Sequence, residues 1–203
     1  MERLAAIVLA AGAGCRAGGF KPLWPLGDGL VIDAVLDAAR SVCSLVRVVG
    51  GAQYERLAAH LAGRHPQVEL VRNEDWEQGG MFSSIQLGAT GIDLPAFVHP
   101  CDVPGGDREV YRLLASAYQP GTDEAVRPVH RGRGGHPVLL SPDTIDAVRR
   151  APGSATLRDV LGGRRCRDVE LASDLACLDF DTLDEYLKLK ARVDPSSTSG
   201  ERR

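Results

Sequence analysis

The sequence predicts a three-layer α/β fold, in which helices cover both faces of an open, mostly parallel β-sheet. Short, continuous apolar runs that stop at glycine or proline are the first indication, because strands buried on both faces have this composition. Apolar residues at helical spacing between these runs are the second. The two patterns alternate through the first two thirds of the 203 residues, which is the order typical of a parallel sheet.

The clearest predicted strands are short apolar runs that end at a glycine or a proline. The run at residues 4–10 stops before Gly12, and the run at 96–99 stops at Pro100. Each has the length of a buried strand and no helical periodicity. Strands are predicted at residues 4–10, 45–49, 68–71, 96–99 and 177–180, and strand-like segments at 125–129 and 137–140 flank a basic, glycine-rich turn.

The helices are predicted where apolar residues recur every three or four positions. In the first of them Val31 and Val35 share a face, with Asp33 near the start. Ser83 or Ser84 is expected to cap the short third helix. Helices are predicted at residues 31–42, 54–61, 83–88, 107–118, 143–149, 155–161 and 182–193.

The uninterrupted alternation and the length of the chain predict one domain over residues 1–194. Residues 195–203 are polar and rich in serine, and we expect them to form a frayed tail.

The composition excludes several classes of protein. The net charge is only −3 and the chain has ten aromatic residues, so neither a nucleic acid nor a membrane surface is an expected partner. The five cysteines are odd in number and form no CxxC pair, which argues against a zinc site or a disulfide framework. No secretory leader or membrane span is recognisable, and we expect a cytoplasmic protein.

The loop after the first strand has the composition of an anion-binding loop. Residues 9–21 contain four glycines together with Arg16 and Lys21. Glycines such as Gly12 and Gly14 leave backbone N–H groups free to face a phosphate, and the two cations neutralise its charge. The loop is neither a Walker A motif, which needs Gly-Lys-Ser/Thr, nor a Rossmann GxGxxG fingerprint. An ordinary glycine-rich turn with surface cations is the alternative.

Polar residues also follow the third and fourth strands. Asn73 offers donor and acceptor atoms for a base edge or a hydroxyl, and Ser83 and Ser84 begin a predicted helix whose N-terminus favours anions. Asp102 lies just beyond the strand at 96–99, where a carboxylate and phosphate oxygens would bind Mg²⁺. Since open α/β sheets bind ligands beyond the carboxyl ends of their strands, these loops are candidate parts of one site. A turn or a helix cap remains the alternative for each.

The last predicted strand carries two further acids. Alternation of side chains along a strand would place Asp179 and Asp181 on one face. Two carboxylates on one face repel each other unless a cation or hydrogen-bond donors lie between them. One of them is therefore a candidate to complete the Mg²⁺ site, and a helix-capping role for Asp181 is the alternative.

Five ordered segments together resemble the MobA-like nucleotidyltransferases, a family that includes molybdopterin cytidylyl- and guanylyltransferases. The sequence departs from the family pattern at Ala17, at the extra glycine of 79–80 and at Leu183. The segments are LAAGxGxR at 9–16 with GGxKPL at 18–23, NxxW at 73–76 leading to Met81 and Ser84, DxP at 102–104, GHPV at 135–138, and DxDTLDE at 179–185.

The resemblance implies a Rossmann-like fold of the GT-A type and a role for each matching residue. Arg16, Lys21 and Asp102 are the implied catalytic residues. The metal ligands are implied to be Asp102, Asp179 and Asp181, and the acceptor-binding residues His136 and Arg158. The implied nucleotide-binding residues are Leu9, Ala10, Ala11, Gly12, Gly14, Arg16, Lys21, Asn73, Gly80 and Ser84.

The implied reaction moves a nucleotidyl group from an NTP to a phosphate-bearing acceptor, with Mg²⁺ as cofactor and pyrophosphate as product. Ala11 stands where guanylyl-type members tend to carry a glycine, so CTP and the molybdopterin cofactor are the favoured substrates, and a molybdoenzyme is a candidate partner. Two alternatives remain open: a nucleotidyltransferase for a sugar phosphate or another small metabolite, and a nucleotide-binding accessory protein without catalysis.

Overall fold

The computed structural model describes residues 3–14 and 18–193, and its main sheet has eight strands with helices packed on both faces. The predicted three-layer, mostly parallel fold is confirmed. The strands are β1 (Ala5–Ala10), β4 (Leu45–Gly50), β5 (Glu69–Arg72), β6 (Ala96–Pro100), β7 (Ala125–His130), β8 (Arg133–Gly134), β9 (Val138–Leu140) and β10 (Cys166–Glu170), and a separate hairpin consists of β2 (Pro25–Leu26) and β3 (Gly29–Leu30). Their spatial order in the main sheet is β10-β7-β9-β6-β1-β4-β5, with β8 beside β7.

The helices follow the strands that they cover. They are α1 (Val31–Arg40), α2 (Tyr54–Arg64), α3 (Gly80–Ala89), α4 (Arg108–Ala117), α5 (Pro142–Arg150), α6 (Leu157–Leu161) and α7 (Leu183–Val193). No helix in the described part of the chain is long and apolar enough to cross a membrane.

Strand β1 is central and fully buried, and it divides the core in two. Ala6 and Val8 belong to the cluster that includes α1, α4 and α7, whereas Ile7 and Leu9 belong to the cluster that includes α3 and α5. This alternation explains why the run is apolar at every position, since both of its faces lie under helices. Strands β4, β1 and β6 are parallel, so their carboxyl ends meet at one edge of the sheet.

The carboxyl-terminal third departs from the sequence prediction. The predicted strand at 177–180 is wrong, because Leu175–Cys177 forms a 3-10 turn and residues 178–180 are not in a strand. The last strand is instead β10, a partly exposed edge strand that pairs with β7. Its sequence Cys-Arg-Asp-Val-Glu lacks an apolar run because an edge strand needs little apolar surface. Strand β9 is antiparallel to both β6 and β7.

Helix α3 also begins earlier than predicted. It starts at Gly80, with Gly79 as the N-cap, so Ser83 and Ser84 lie inside the helix rather than at its cap. The prediction failed because serine is a strong statistical cap and glycine is a weak helix residue. Gly80 has a φ of +62°, which only glycine adopts without strain.

The contact between α3 and β1 requires a glycine at position 88. A Cβ atom there would lie 2.3 Å from Ile7 Cγ2, and both groups belong to packed elements. We expect Gly88→Ala to lower the free energy of unfolding by about 1–3 kcal/mol in urea denaturation, because the helix must move away from the strand. The matched control is Gly63→Ala in α2, where a Cβ meets nothing within 4 Å. It should raise stability by about 0.5–1 kcal/mol. Equal effects of the two substitutions would contradict the packing argument.

Candidate functional site

A cavity of about 590 Å³ opens at the carboxyl edge of the parallel strands. Its walls come from the loop after β1, the start of α3, the loop after β6 and the segment before α7. Of the residues predicted to bind nucleotide or metal, the cavity is lined by Leu9, Ala10, Ala11, Gly12, Gly14, Lys21, Gly80, Ser84, Asp102 and Asp181. Arg16 and Ala17 lie outside the described residues.

Lys21 is the central charged group of this cavity. It begins a 3-10 turn (Lys21–Leu23) that is followed by the β2–β3 hairpin. Its Nζ donates to Asp181 Oδ1 at 2.8 Å and to Asp102 Oδ2 at 3.3 Å, and it lies 5.3 Å from the centre of the Phe180 ring. The Lys21 side chain is only 12% exposed. The ammonium group thus connects three segments, because Asp102 lies 81 residues and Asp181 lies 160 residues from Lys21 in sequence.

The loop after β1 brings residue 14 close to the backbone of residue 19, which requires a glycine at position 14. Gly14 has a φ of +66°, and a Cβ there would lie 2.1 Å from the carbonyl oxygen of Gly19. No other residue fits this approach without moving the backbone. Gly12, by contrast, has open space around its Cα, so its side of the loop is accessible to a ligand.

The two acids of the segment before α7 have different surroundings. Asp181 lines the cavity and pairs with Lys21. Asp179 is 62% exposed, lies 3.7 Å from Arg133 Nη2, and lines neither this cavity nor the one beside it. The prediction that the two carboxylates share a strand face is wrong, because the segment is not a strand. Glu185 Oε2 accepts hydrogen bonds from the backbone N–H groups of residues 181 and 182.

Asn73 lies beneath the cavity rather than in its wall. Its Nδ2 donates to Ser83 Oγ and to Ser84 Oγ, both at 2.9 Å, and its Oδ1 accepts from the backbone N–H of Asp75. Only 5% of Asn73 is exposed. The amide therefore fastens the loop after β5 to the first turns of α3.

Trp76, Glu77 and Met81 also line the cavity, although the sequence analysis assigned none of them a role in binding. Trp76 packs against the end of β4, where a Cβ on Gly51 would lie 2.6 Å from Trp76 Cβ. Met81 is 59% exposed, although it belongs to the first turn of a packed helix. The signal was an aromatic and a methionine in an otherwise polar loop.

The two groups next to Asp102 with strongly shifted pKa values are structural. Burial lowers the pKa of His99 to about 3, against a smaller opposing effect of the Val103 carbonyl. The neutral ring is hydrogen-bonded to the Val103 carbonyl through Nε2 and to the Tyr111 hydroxyl through Nδ1, so it holds the turn after β6 in place. Burial also raises the pKa of the Cys101 thiol well above its usual range. Neither group is therefore a base or a nucleophile at neutral pH.

A second cavity, of about 1100 Å³, adjoins the first and shares Leu9, Gly80, Met81 and Pro100 with it. His136 and Arg158, the predicted acceptor-binding residues, both line it. Burial lowers the pKa of His136, and its Nδ1 is buried with no hydrogen-bond partner.

Three arginines line the second cavity, and two of them are engaged elsewhere. Arg127 Nε donates to Asp168 at 2.7 Å, and Arg164 Nη1 donates to Glu124 at 2.7 Å. Arg158 is exposed and makes no ion pair within the described part of the chain. It is therefore the cation that an anionic ligand of this cavity would meet.

A separate group of Asp33, His60 and His65 lies within reach of one cation. Asp33 Oδ1 accepts from His60 Nε2 at 2.6 Å and from His65 Nε2 at 2.9 Å, while Arg64 Nε lies 3.3 Å from Asp33 Oδ2. Mg²⁺ prefers oxygen ligands, and two imidazoles beside a guanidinium do not suit it. The group acts as a buried hydrogen-bond network. Asp33 is 27 and 32 residues from the two histidines in sequence, so no local motif revealed the group.

The sequence model of the MobA-like NTP transferase domain matches residues 6–169, most of the chain. The chain belongs to the MobA-like NTP transferase family. Its members are nucleotidyltransferases, and the predicted family is confirmed.

Similar proteins cover almost the whole chain. It is 27% identical over 194 residues to the molybdenum cofactor cytidylyltransferase of Escherichia coli (strain K12), covering 95% of this chain and 98% of that one. The solved Rv0371C protein of Mycobacterium tuberculosis H37Rv in complex with manganese has a TM-score of 0.73 at 22% identity, over 92% and 97% of the two chains. The molybdopterin-guanine dinucleotide biosynthesis protein A of Archaeoglobus fulgidus has a TM-score of 0.69 at 19% identity, over 94% and 99%. The two structures show that this MobA-like chain shares their fold.

Proposed function

We propose that this nucleotidyltransferase moves a cytidylyl group from CTP to a phosphate-bearing acceptor, the molybdopterin cofactor, and releases pyrophosphate. The observation that carries the proposal is Lys21 in contact with Asp102 and Asp181 in the cavity that the glycine loop lines. A second cavity adjoins this one. The similarity to a molybdenum cofactor cytidylyltransferase over nearly the full chain supports the choice of substrates.

The reaction needs positioning and charge stabilisation more than covalent help. An oxygen of the acceptor phosphate attacks the α-phosphorus in line, and the bond from this phosphorus to the pyrophosphate oxygen breaks. Backbone N–H groups of the loop at residues 12–14, together with Arg16 and Lys21, would hold the triphosphate and stabilise the departing pyrophosphate. An ionised phosphate needs no general base, which agrees with the neutral, fully bonded His99.

The residues of the first cavity fit Mg²⁺. Asp102 and Asp181 supply hard carboxylate oxygens on either side of one ammonium group, and Mg²⁺ prefers one or two carboxylates plus phosphate oxygens. When bound, Mg²⁺ would neutralise charge on the phosphate oxygens. Asp179 is the weaker candidate ligand, since it faces Arg133 at the surface.

The second cavity fits the acceptor. Arg158 would meet the acceptor phosphate, and the apolar side chains of Met81 and Leu157 would pack against the body of the molecule. His136 would meet a polar group of the acceptor through its unpartnered nitrogen. We propose a cytoplasmic enzyme with a molybdoenzyme as candidate partner, and neither a nucleic acid nor a membrane among its partners.

A panel of CTP, GTP, ATP and UTP with Mg²⁺ tests the base assignment by thermal denaturation. At equal nucleotide concentrations we expect CTP to give the largest stabilisation, about 2.7 kcal/mol when that concentration is 100 times the dissociation constant of CTP. For a chain of this length that corresponds to a rise in Tm of about 5–10 °C. The same nucleotide should support pyrophosphate release only when molybdopterin is added.

Two results would contradict the proposal in different ways. If GTP gives a larger rise in Tm and faster turnover than CTP, the proposed nucleotide is wrong and the proposed reaction type is kept. Binding of a nucleotide without turnover on molybdopterin or on any sugar phosphate would instead support a nucleotide-binding accessory protein.

A further inference from the structure

Lys21 occupies the position between two carboxylates in which a metal ion is proposed to bind. Its Nζ lies 2.8 Å from Asp181 Oδ1 and 3.3 Å from Asp102 Oδ2. The two oxygen atoms are therefore held close together by a cation of the protein itself. Without such a cation, two carboxylates that both reach one ammonium group would repel each other.

The surroundings keep this ammonium group in place. The Lys21 side chain is 12% exposed, its Nζ lies over the Phe180 ring, and the Phe180 ring itself is fully buried. Phe180 stacks at 5.9 Å on Trp24, three residues after Lys21. The turn that carries the lysine and the segment that carries Asp181 are thus packed against each other through aromatic rings, with the charge between them.

We infer that Lys21 is the resident counter-ion of the metal site, and that it exchanges its carboxylate partners for nucleotide phosphates when the metal–nucleotide complex binds. The reason is charge balance. A divalent cation near Asp102 and Asp181 repels the ammonium group, and the triphosphate offers that group new oxygen partners. Free metal brings no such partners, so it has to compete with Lys21 for the same carboxylates.

This inference rests on the proposed metal site and predicts opposite effects of one substitution on two ligands. Lys21→Gln removes the charge but keeps a polar side chain, which is one bond shorter than that of lysine. It should bind Mn²⁺ alone about tenfold or more tightly than the wild type, because a cation that competes for both carboxylates is gone. The same variant should bind a non-hydrolysable CTP analogue with Mn²⁺ about tenfold or more weakly, because a phosphate partner is gone.

Mn²⁺ binding is measured by electron paramagnetic resonance on the full chain without nucleotide, and analogue binding by calorimetry. Lys21→Arg is the matched control, since it keeps the charge and should bind Mn²⁺ as weakly as the wild type. The double variant Lys21→Gln/Asp102→Asn should lose the gain in Mn²⁺ affinity of the single variant. That loss would show that Mn²⁺ binds at Asp102. Lys21→Met provides the same test if the glutamine variant does not fold.

Equal Mn²⁺ affinity of the wild type and the charge-free variants would overturn the inference, as would tight binding by Lys21→Arg. Absence of Mn²⁺ binding in every protein would overturn it together with the metal site. If the metal affinities change as expected but no transfer occurs with any acceptor, the proposed function fails and the counter-ion role of Lys21 stands.

Discussion

Asp102→Asn is expected to lower kcat/KM for CTP-dependent pyrophosphate release about 10³-fold or more. The substitution removes a proposed metal ligand and one partner of Lys21. Loss of a charge interaction of this kind costs several kcal/mol in the transition state, and each 1.36 kcal/mol is about tenfold in rate. Steady-state kinetics at saturating Mg²⁺ would measure the effect.

The control for this substitution is Asp184→Asn, on the first turn of α7. Asp184 is 75% exposed and pairs only with Lys188 among the described residues. We expect its activity to stay within about twofold of the wild type, as for a surface change outside the site. Activity of Asp102→Asn above a tenth of the wild-type value would remove Asp102 from the proposed chemistry.

The same assay compares the two acids before α7. Asp181→Asn should lower activity nearly as much as Asp102→Asn, because Asp181 lies in the cavity. Asp179→Asn should have the smaller effect, since this carboxylate faces Arg133. The reverse order would make Asp179 the metal ligand.

Asp33→Ala should lower the free energy of unfolding by about 3–5 kcal/mol, the range for breaking a buried charged pair. Asp33 is 3% exposed, and its carboxylate accepts hydrogen bonds from His60, His65 and the Leu30 backbone. Removing it leaves buried donors without partners. Urea denaturation at pH 7 measures the loss.

The matched control lies one helical turn along the same helix. Asp37 is 54% exposed, with Arg40 at 3.8 Å. We expect Asp37→Ala to change stability by less than about 0.5 kcal/mol, as surface substitutions usually do. If both substitutions cost the same, the network around Asp33 does not contribute the stability assigned to it.

The pH dependence of stability gives a further check on Asp33. Burial alone would raise its pKa, but hydrogen bonds from His60, His65 and Leu30 outweigh burial and lower the pKa below 3.8. Its contribution is therefore complete above pH 3.8 and is lost as the pH falls through the lower folded value. The stability difference between wild type and Asp33→Ala should shrink on acidification through this range.

Much of the fold could be predicted because its signals are local. Strand β1 is apolar at every position because both of its faces are covered, and that pattern is visible in the sequence alone. The edge strand β10 could not be predicted, because its partner and not its composition makes it a strand. For the same reason the sequence suggested a strand at 177–180, where the chain has no strand partner.

The candidate site divides in a similar way. Residue types and motif spacing placed Lys21, Asp102 and the glycine loop at the carboxyl edge of the sheet. Spacing along the chain did not distinguish Asp179 from Asp181, and it did not reveal that Asn73 faces inward to Ser83 and Ser84. These outcomes depend on which segments pack together.

The sequence by itself determined the fold class, the family and the edge of the sheet where the candidate site lies, since periodicity and the residues at strand ends are properties of short segments. Only the tertiary structure decided which carboxylates meet Lys21, one of them 160 residues away. It also decided that Asp33 gathers two histidines into a buried network. Contacts of this kind depend on how distant segments pack, and no local pattern in the chain specifies them.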